Sequence, residues 1–204
     1  DGAYLIGSTM HYAIPIGQFF TGNMTLLTFV MDDDADANGS AIFSNVIVKE
    51  GSTALLVDFN SYTVGSFSVA QDAGTASIVY GGAGINLTGN PWKGIPLSYN
   101  VTSKTVLEFT VSGSDVGEIS GIGLDEDLTY NNADRHFQIG GVSSGIPGFI
   151  EDYKTYVTGT TVRYAVPVGF YYTGLMSNMS FIADDDADAS SNVTFSDIIL
   201  YEGR

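Results

Sequence analysis

Two acidic runs offer the clearest chemistry in this sequence: Asp32-Asp33-Asp34-Ala35-Asp36-Ala37-Asn38-Gly39 and Asp184-Asp185-Asp186-Ala187-Asp188-Ala189-Ser190-Ser191. Oxygen side chains at alternate positions converge on a hard cation such as Ca2+, and a glycine allows the sharp turn such a loop needs. Asp32, Asp34, Asp36 and Asn38 are the candidate metal ligands of the first run, and Asp184, Asp186 and Asp188 those of the second. The second run lacks the glycine, and neither is flanked by helices. The expected form is therefore a β-sandwich loop that recruits a distant carboxylate, with Asp125, Glu126 and Asp127 as candidates, rather than an EF-hand. Adjacent carboxylates repel one another unless a cation or solvent relieves them. The competing reading is a solvated acidic turn.

Trp92 is the only tryptophan. Its indole could stack on a sugar ring with Tyr99 or Tyr130 beside it, or it could be a buried tryptophan of the core. The two histidines, His11 and His136, lie far apart in sequence with no serine nucleophile motif nearby, which argues against a Ser-His-Asp triad. His11 reads as exposed and His136 as structural. Glycoside hydrolysis needs only two carboxylates, and Glu118 and Asp125 are the candidates for it. The carboxylates otherwise gather in loops, so the chain is expected not to be an enzyme. Six N-x-S/T triplets begin at Asn23, Asn38, Asn86, Asn100, Asn178 and Asn192, three times the number that the composition predicts by chance. They are either glycan attachment points or ordinary Ser/Thr turn chemistry.

Bulk properties narrow the partners. Twenty-three acidic residues face seven basic ones over 204 residues, a net charge of −16. Nucleic acid and anionic membrane surfaces need clustered Lys and Arg, so neither is an expected partner. A divalent cation is the natural counter-charge. With no cysteine there are no disulfides, thiolate metal sites or Cys nucleophiles. No run is long and apolar enough to span a bilayer. A chain starting at Asp1 without a signal peptide reads as a mature or excised piece of something longer.

The elements that must position these residues come in duplicate. With the 152-residue offset between Tyr12 and Tyr164, residues 1–52 align without a gap on residues 153–204, and 22 of the 52 positions are identical. YAIPIGQFFTG (12–22) falls on YAVPVGFYYTG (164–174), and IFSNVIVKEG (42–51) on TFSDIILYEG (194–203). Such a match marks a true internal repeat. The chain reads as a C-piece (1–52), an N-piece (53–152) and a second C-piece (153–204), so that 53–204 is a complete module and 1–52 a spare copy of its last third.

Period-two alternation recurs throughout. Leu107, Phe109 and Val111 share one face of 105–112, and Val162, Tyr164, Val166 and Val168 one face of 161–168. Further strands are expected at 54–59, 75–80, 84–88, 95–101, 117–124, 135–140, 178–183 and 193–202, separated by turn signals such as Gly81-Gly82 and Asn90-Pro91. Many short strands without an amphipathic helix suggest an all-β, antiparallel two-sheet sandwich, with an N-terminal β segment duplicating its last third.

The runs VDFNSYTVGSFS (57–68), LTGNPWKGIPLSY (87–99), TVLEFTVSGSDVGEISGIGLDED (105–127) and FIADDDADASSNVTFSDIILYEG (181–203) resemble jelly-roll carbohydrate-binding-like modules. Such modules are appended to polysaccharide-degrading and surface proteins of aquatic bacteria. The resemblance spans about 55–204, with 1–52 as a partial second copy, and implies a jelly-roll fold and an extracellular or cell-surface setting. Two functions follow. One is a structural or adhesive unit that joins copies of itself head to tail, as a polymer or a tandem array. The other is a calcium-dependent polysaccharide-binding module of a secreted carbohydrate-active enzyme.

Overall fold

Alternating apolar residues along 105–112 become β6 (Thr105–Asp115), whose Leu107, Phe109 and Val111 are fully buried. The computed structural model describes residues 54–143 and 148–203, together with 7, 12, 14, 16, 19–32, 34, 38–44, 46 and 48. Before β6 come β1 (Leu55–Leu56), β2 (Gly65–Ser66), β3 (Thr75–Val79), β4 (Gly84–Gly89) and β5 (Trp92–Val101). After it come β7 (Ile119–Asp125), β8 (His136–Gly140), β9 (Thr161–Val166), β10 (Gly174–Asp184) and β11 (Ser191–Glu202). The described residues otherwise contain only three-residue 3-10 turns, at Phe59–Ser61, Tyr80–Gly82, Ala133–Arg135 and Val168–Phe170 among the named elements.

All the paired strands are antiparallel and form two sheets. One runs β3-β4-β11-β6-β9, with β1 also on β11; the other runs β2-β5-β10-β7-β8. From β4 to β7, and again from β9 to β11, successive strands alternate between the sheets, as in the jelly-roll sandwich expected from the sequence. The inner faces enclose a core that includes Ile85, Leu87, Ile95, Phe109, Ile122, Phe137, Phe181, Phe195 and Leu200. Phe181 and Phe195 meet across the sheets with ring centroids 5.8 Å apart. Each such burial stabilises by about 1.5–3 kcal/mol.

The sequence placed a strand across 54–59, but only Leu55–Leu56 pairs, with Leu200 and Ile199. Asp58 then accepts from the amide of Asn60 at 3.0 Å and caps the Phe59–Ser61 turn, which ends the strand. β2 gave no sequence signal; it is two residues long.

The chain divides into two units. One is Tyr12–Glu50, and the sandwich lies in the other. No strand occurs among the described residues of 7–48, and the rest of the N-terminal segment expected to be β lies outside the described residues. Phe29 and Phe43 lie 5.1 Å apart within that segment.

Candidate functional site

The acidic loop after β10 folds around its own donors. Asp184 ends β10 with its carboxylate accepting from the indole N–H of Trp92 at 2.9 Å. Asp185 accepts from the amides of Ser190 (2.6 Å) and Ser191 (2.8 Å). Asp186 accepts from the Asn90 side-chain amide at 2.6 Å, while Asn90 takes the Asp185 amide at 2.9 Å. Asp188 accepts from Ser190 N at 3.1 Å. Burial raises the pKa of both Asp184 and Asp185. For Asp184 the Trp92 bond works against this, while the charges of Asp186, Glu118 and Asp185 push it further up.

The carboxylates beside this loop are not the expected ones. Register pairs Asp184 with Ile119 and Asn178 with Asp125, so Asp125 sits at the far end of β7, opposite the middle of β10. Six residues of strand make that roughly 20 Å. Asp125, Glu126 and Asp127 therefore do not complete the loop. Asp115 and Glu118 stand there instead: Ser190 Oγ donates to Asp115 at 2.6 Å, and the Asp186 amide donates to Glu118 at 3.1 Å. The bond from Ser190, with one from Gly117 N, lowers the Asp115 pKa. Among the described residues, no three acidic or histidine side chains converge as a metal-binding group. One oxygen of each of Asp184, Asp185, Asp186 and Asp188 accepts from an N–H donor. In the first run Asp32, Asp34 and Asn38 are described, and Asp36 lies outside the described residues, as does His11. The β7 strand likewise separates Glu118 from Asp125 by roughly 20 Å. That exceeds the spacing of a glycosidase pair, at most about 9.5 Å.

Trp92 is 1% exposed, so its face does not meet a sugar. It belongs to a second apolar cluster of Phe67, Trp92, Ile119, Phe149 and Ile182, with Tyr130 and Ala133 against it. Trp92 lies parallel to Phe67 at 6.2 Å, and Tyr130 meets it edge-on at 5.3 Å. Leu128 comes down onto Gly94, where a Cβ would stand 2.7 Å from its Cδ2. Tyr99 is elsewhere. Seven residues on from Trp92, it faces the opposite side of β5, packs against the main core and donates to Glu202 at 3.0 Å. Burial first, then Glu202, lifts its phenol to about 12. The expected stacking trio is thus broken up.

Among the sequons, Asn23, Asn38, Asn100 and Asn192 are exposed. Asn86 donates to Asn192 Oδ1 and to Thr194 Oγ1, both at 2.9 Å. Asn178 is buried in the middle of β10 between Pro96 and Asp125, where a glycan has no room.

No family model and no curated protein matches the chain. Several solved structures share a similar arrangement. A family 29 carbohydrate-binding module complexed with mannohexaose is 14% identical, with a TM-score of 0.42, over 74% of this chain and 92% of that one. A C-terminal family 6 module of a laminarinase from Zobellia galactanivorans is 13% identical, with a TM-score of 0.37, over 74% and 100%. The K3 adhesin domain of Lys-gingipain from Porphyromonas gingivalis is 13% identical, with a TM-score of 0.42, over 72% and 98%. At such identities and scores the likeness carries no argument about ligand, and the sandwich rests on the strand pairing described above.

The feature that sets this chain apart is the fate of the repeat. Its second copy supplies β10, the middle strand of one sheet between β5 and β7, and β11, the middle strand of the other between β4 and β6. It also supplies β9, the edge strand on β6. Phe181 and Phe195 of that copy are both 0% exposed, while their counterparts Phe29 and Phe43 are 54% and 57% exposed. The same contrast holds for Met24 against Met176, Val30 against Ile182 and Val48 against Leu200. One side-chain pattern is buried in one place and displayed in the other, because β10 and β11 already fill the central positions.

Proposed function

We propose that the chain is a non-catalytic structural or adhesive module of an extracellular or cell-surface fibre, strung head to tail with modules of its own kind through residues 1–52. The observation that carries this is the displayed second set of core residues. Exposed apolar side chains on a segment with strand-forming sequence are costly in water and invite pairing with another chain. Contacts of this sort are heterologous and extend rather than close. The acidic composition and exposed sequons suit an extracellular surface. A polysaccharide-binding module stands second, since the aromatics singled out for it share no exposed face: Trp92 is buried in the second cluster and Tyr99 lies on the opposite side of β5. No helix among the described residues is long and apolar enough to cross a membrane.

Sedimentation of the full chain beside a chain of residues 53–204 tests the reading. The full chain should form concentration-dependent multimers, and the shortened one should stay monomeric with an unchanged β-rich spectrum. A full chain that stays monomeric at high concentration, or a shortened chain that assembles equally well, would reject it.

A further inference from the structure

The topology also determines what residues 1–52 can complete. Without β9, β10 and β11, residues 55–140 would have a gap one strand wide in each sheet, between β4 and β6 and between β5 and β7. The strand edges on both sides of each gap would be unpaired, and the core would lose Met176, Met179, Phe181, Phe195, Ile198 and Leu200. One C-piece fills both gaps at once, because β10 and β11 are consecutive. Each chain therefore holds two donors for one acceptor. Exchange between identical chains cannot change that ratio: if a neighbour's first copy enters the gaps, the second copy is released. Strand donation among intact copies always leaves one donor per chain without a slot.

We infer that residues 1–52 are the closing piece of another β-sandwich, whose acceptor has the pattern of residues 53–152 and lacks its own C-piece. This rests on the head-to-tail reading above and identifies the partner within it. Residues 22–32 take the place that β10 holds in this module, and residues 39–50 that of β11. Phe29 and Phe43 become core residues, as Phe181 and Phe195 are here. An intact copy of this chain does not offer that slot, since its own C-piece fills it; multimers of the unfused chain join through the exposed apolar side chains of residues 1–52 without filling a slot. The acceptor can precede Asp1 in one polypeptide or sit on a separate chain; the two have the same chemistry.

The test adds residues 53–152 in front of the full chain, joining Asp152 to Asp1 as Asp152 is joined to Tyr153 in the module. Hydrogen exchange of 22–32 and 39–50 should slow to the level of 174–184 and 191–202, and the product should be monomeric. Phe29→Asp with Phe43→Asp in the same fusion should abolish that protection and leave 174–184 unaffected. A second arm co-expresses 53–152 as a separate chain. Co-purification with the full chain shows that an acceptor in trans suffices, and success of the fusion alone places the acceptor upstream in the same polypeptide. If 22–32 exchange freely in both arms, the inference falls. Its fate is separate from the assembly reading, which is decided by sedimentation of the unfused chain.

Discussion

His136 is completely buried between aromatic rings, stacked on Phe149 at 5.4 Å and beside Phe67 at 5.1 Å. Its Nδ1 lies 3.1 Å from the Asn132 carbonyl, which can only accept, so Nδ1 carries a proton. Burial pulls its pKa from 6.5 to about 4; the Arg135 charge adds to this, while Asn132 and Asp134 oppose it. The unfolded chain takes up a proton near 6.5 while the folded one does not. The stability contribution is therefore complete above 6.5 and is lost as pH falls from there towards 4. Asp125, Asp184 and Asp185 act the other way. Burial raises their pKa values, so the folded state takes the proton first and acid stabilises it through these groups. A variant difference isolates the histidine. Between pH 7.5 and 5, above the sequence pI of 4.1, His136→Phe should gain about 2 kcal/mol on the unsubstituted chain. Parallel denaturation curves at both pH values would show that His136 does not titrate in this way. The structural role of His136 was legible from its sequence setting, but its aromatic neighbours were not. They come from 67, 130 and 149, which no local pattern connects.

At the scale of elements, the repeat allows one substitution to be compared in two environments. Phe181→Ala removes a ring from the centre of β10 and should cost about 3–5 kcal/mol, as large-to-small core changes do. Phe29→Ala makes the same chemical change at the equivalent position and should leave the melting of the sandwich unchanged to within about 0.5 kcal/mol. Thermal or denaturant unfolding of the two variants decides it, and equal losses would mean that residue 29 is part of the same folded core. Strands were the most legible part of the sequence, because burial on one face forces period-two alternation. Leu107, Phe109 and Val111 show this, as do Tyr164, Val166 and Val168, all buried. Which strands are neighbours was not legible. Chain crossings between sheets put Asp115 and Glu118 beside the second acidic loop and carry Asp125 to the opposite end. The face of Trp92 depended on where β5 begins, since a one-residue slip reverses inside and outside. The duplication itself was fully legible, but its consequence became clear only once β10 and β11 were seen at the centres of their sheets.

For the whole molecule, charge opposes the association that the exposed segment favours. The net charge is −16, and residues 1–52 contain six acidic side chains against Lys49 alone. Any head-to-tail contact thus brings like charges together. Repulsion reaches about 30 Å at 0.01 M salt and about 10 Å at 0.1 M, whereas apolar contact is little affected by dilute salt. Assembly should therefore strengthen as sodium chloride rises from 0.01 to 0.2 M. Calcium adds a separate question at the same scale. As general counter-charge it acts only through ionic strength. A dedicated site would draw on the loop carboxylates, of which Asp185 and Asp186 already accept from Ser190, Ser191 and Asn90 through one oxygen each. Sedimentation and melting at matched ionic strength, with calcium, magnesium or sodium, separate the two cases. With no three acidic or histidine side chains converging among the described residues, the three salts should give the same melting temperature to within about 1 °C and the same degree of assembly. A rise of several degrees specific to calcium, about 2.7 kcal/mol at a hundredfold excess over Kd, would show that the acidic loops rearrange around the ion. Assembly that weakens with added salt would instead place charge pairing, rather than the displayed core residues, at the contact.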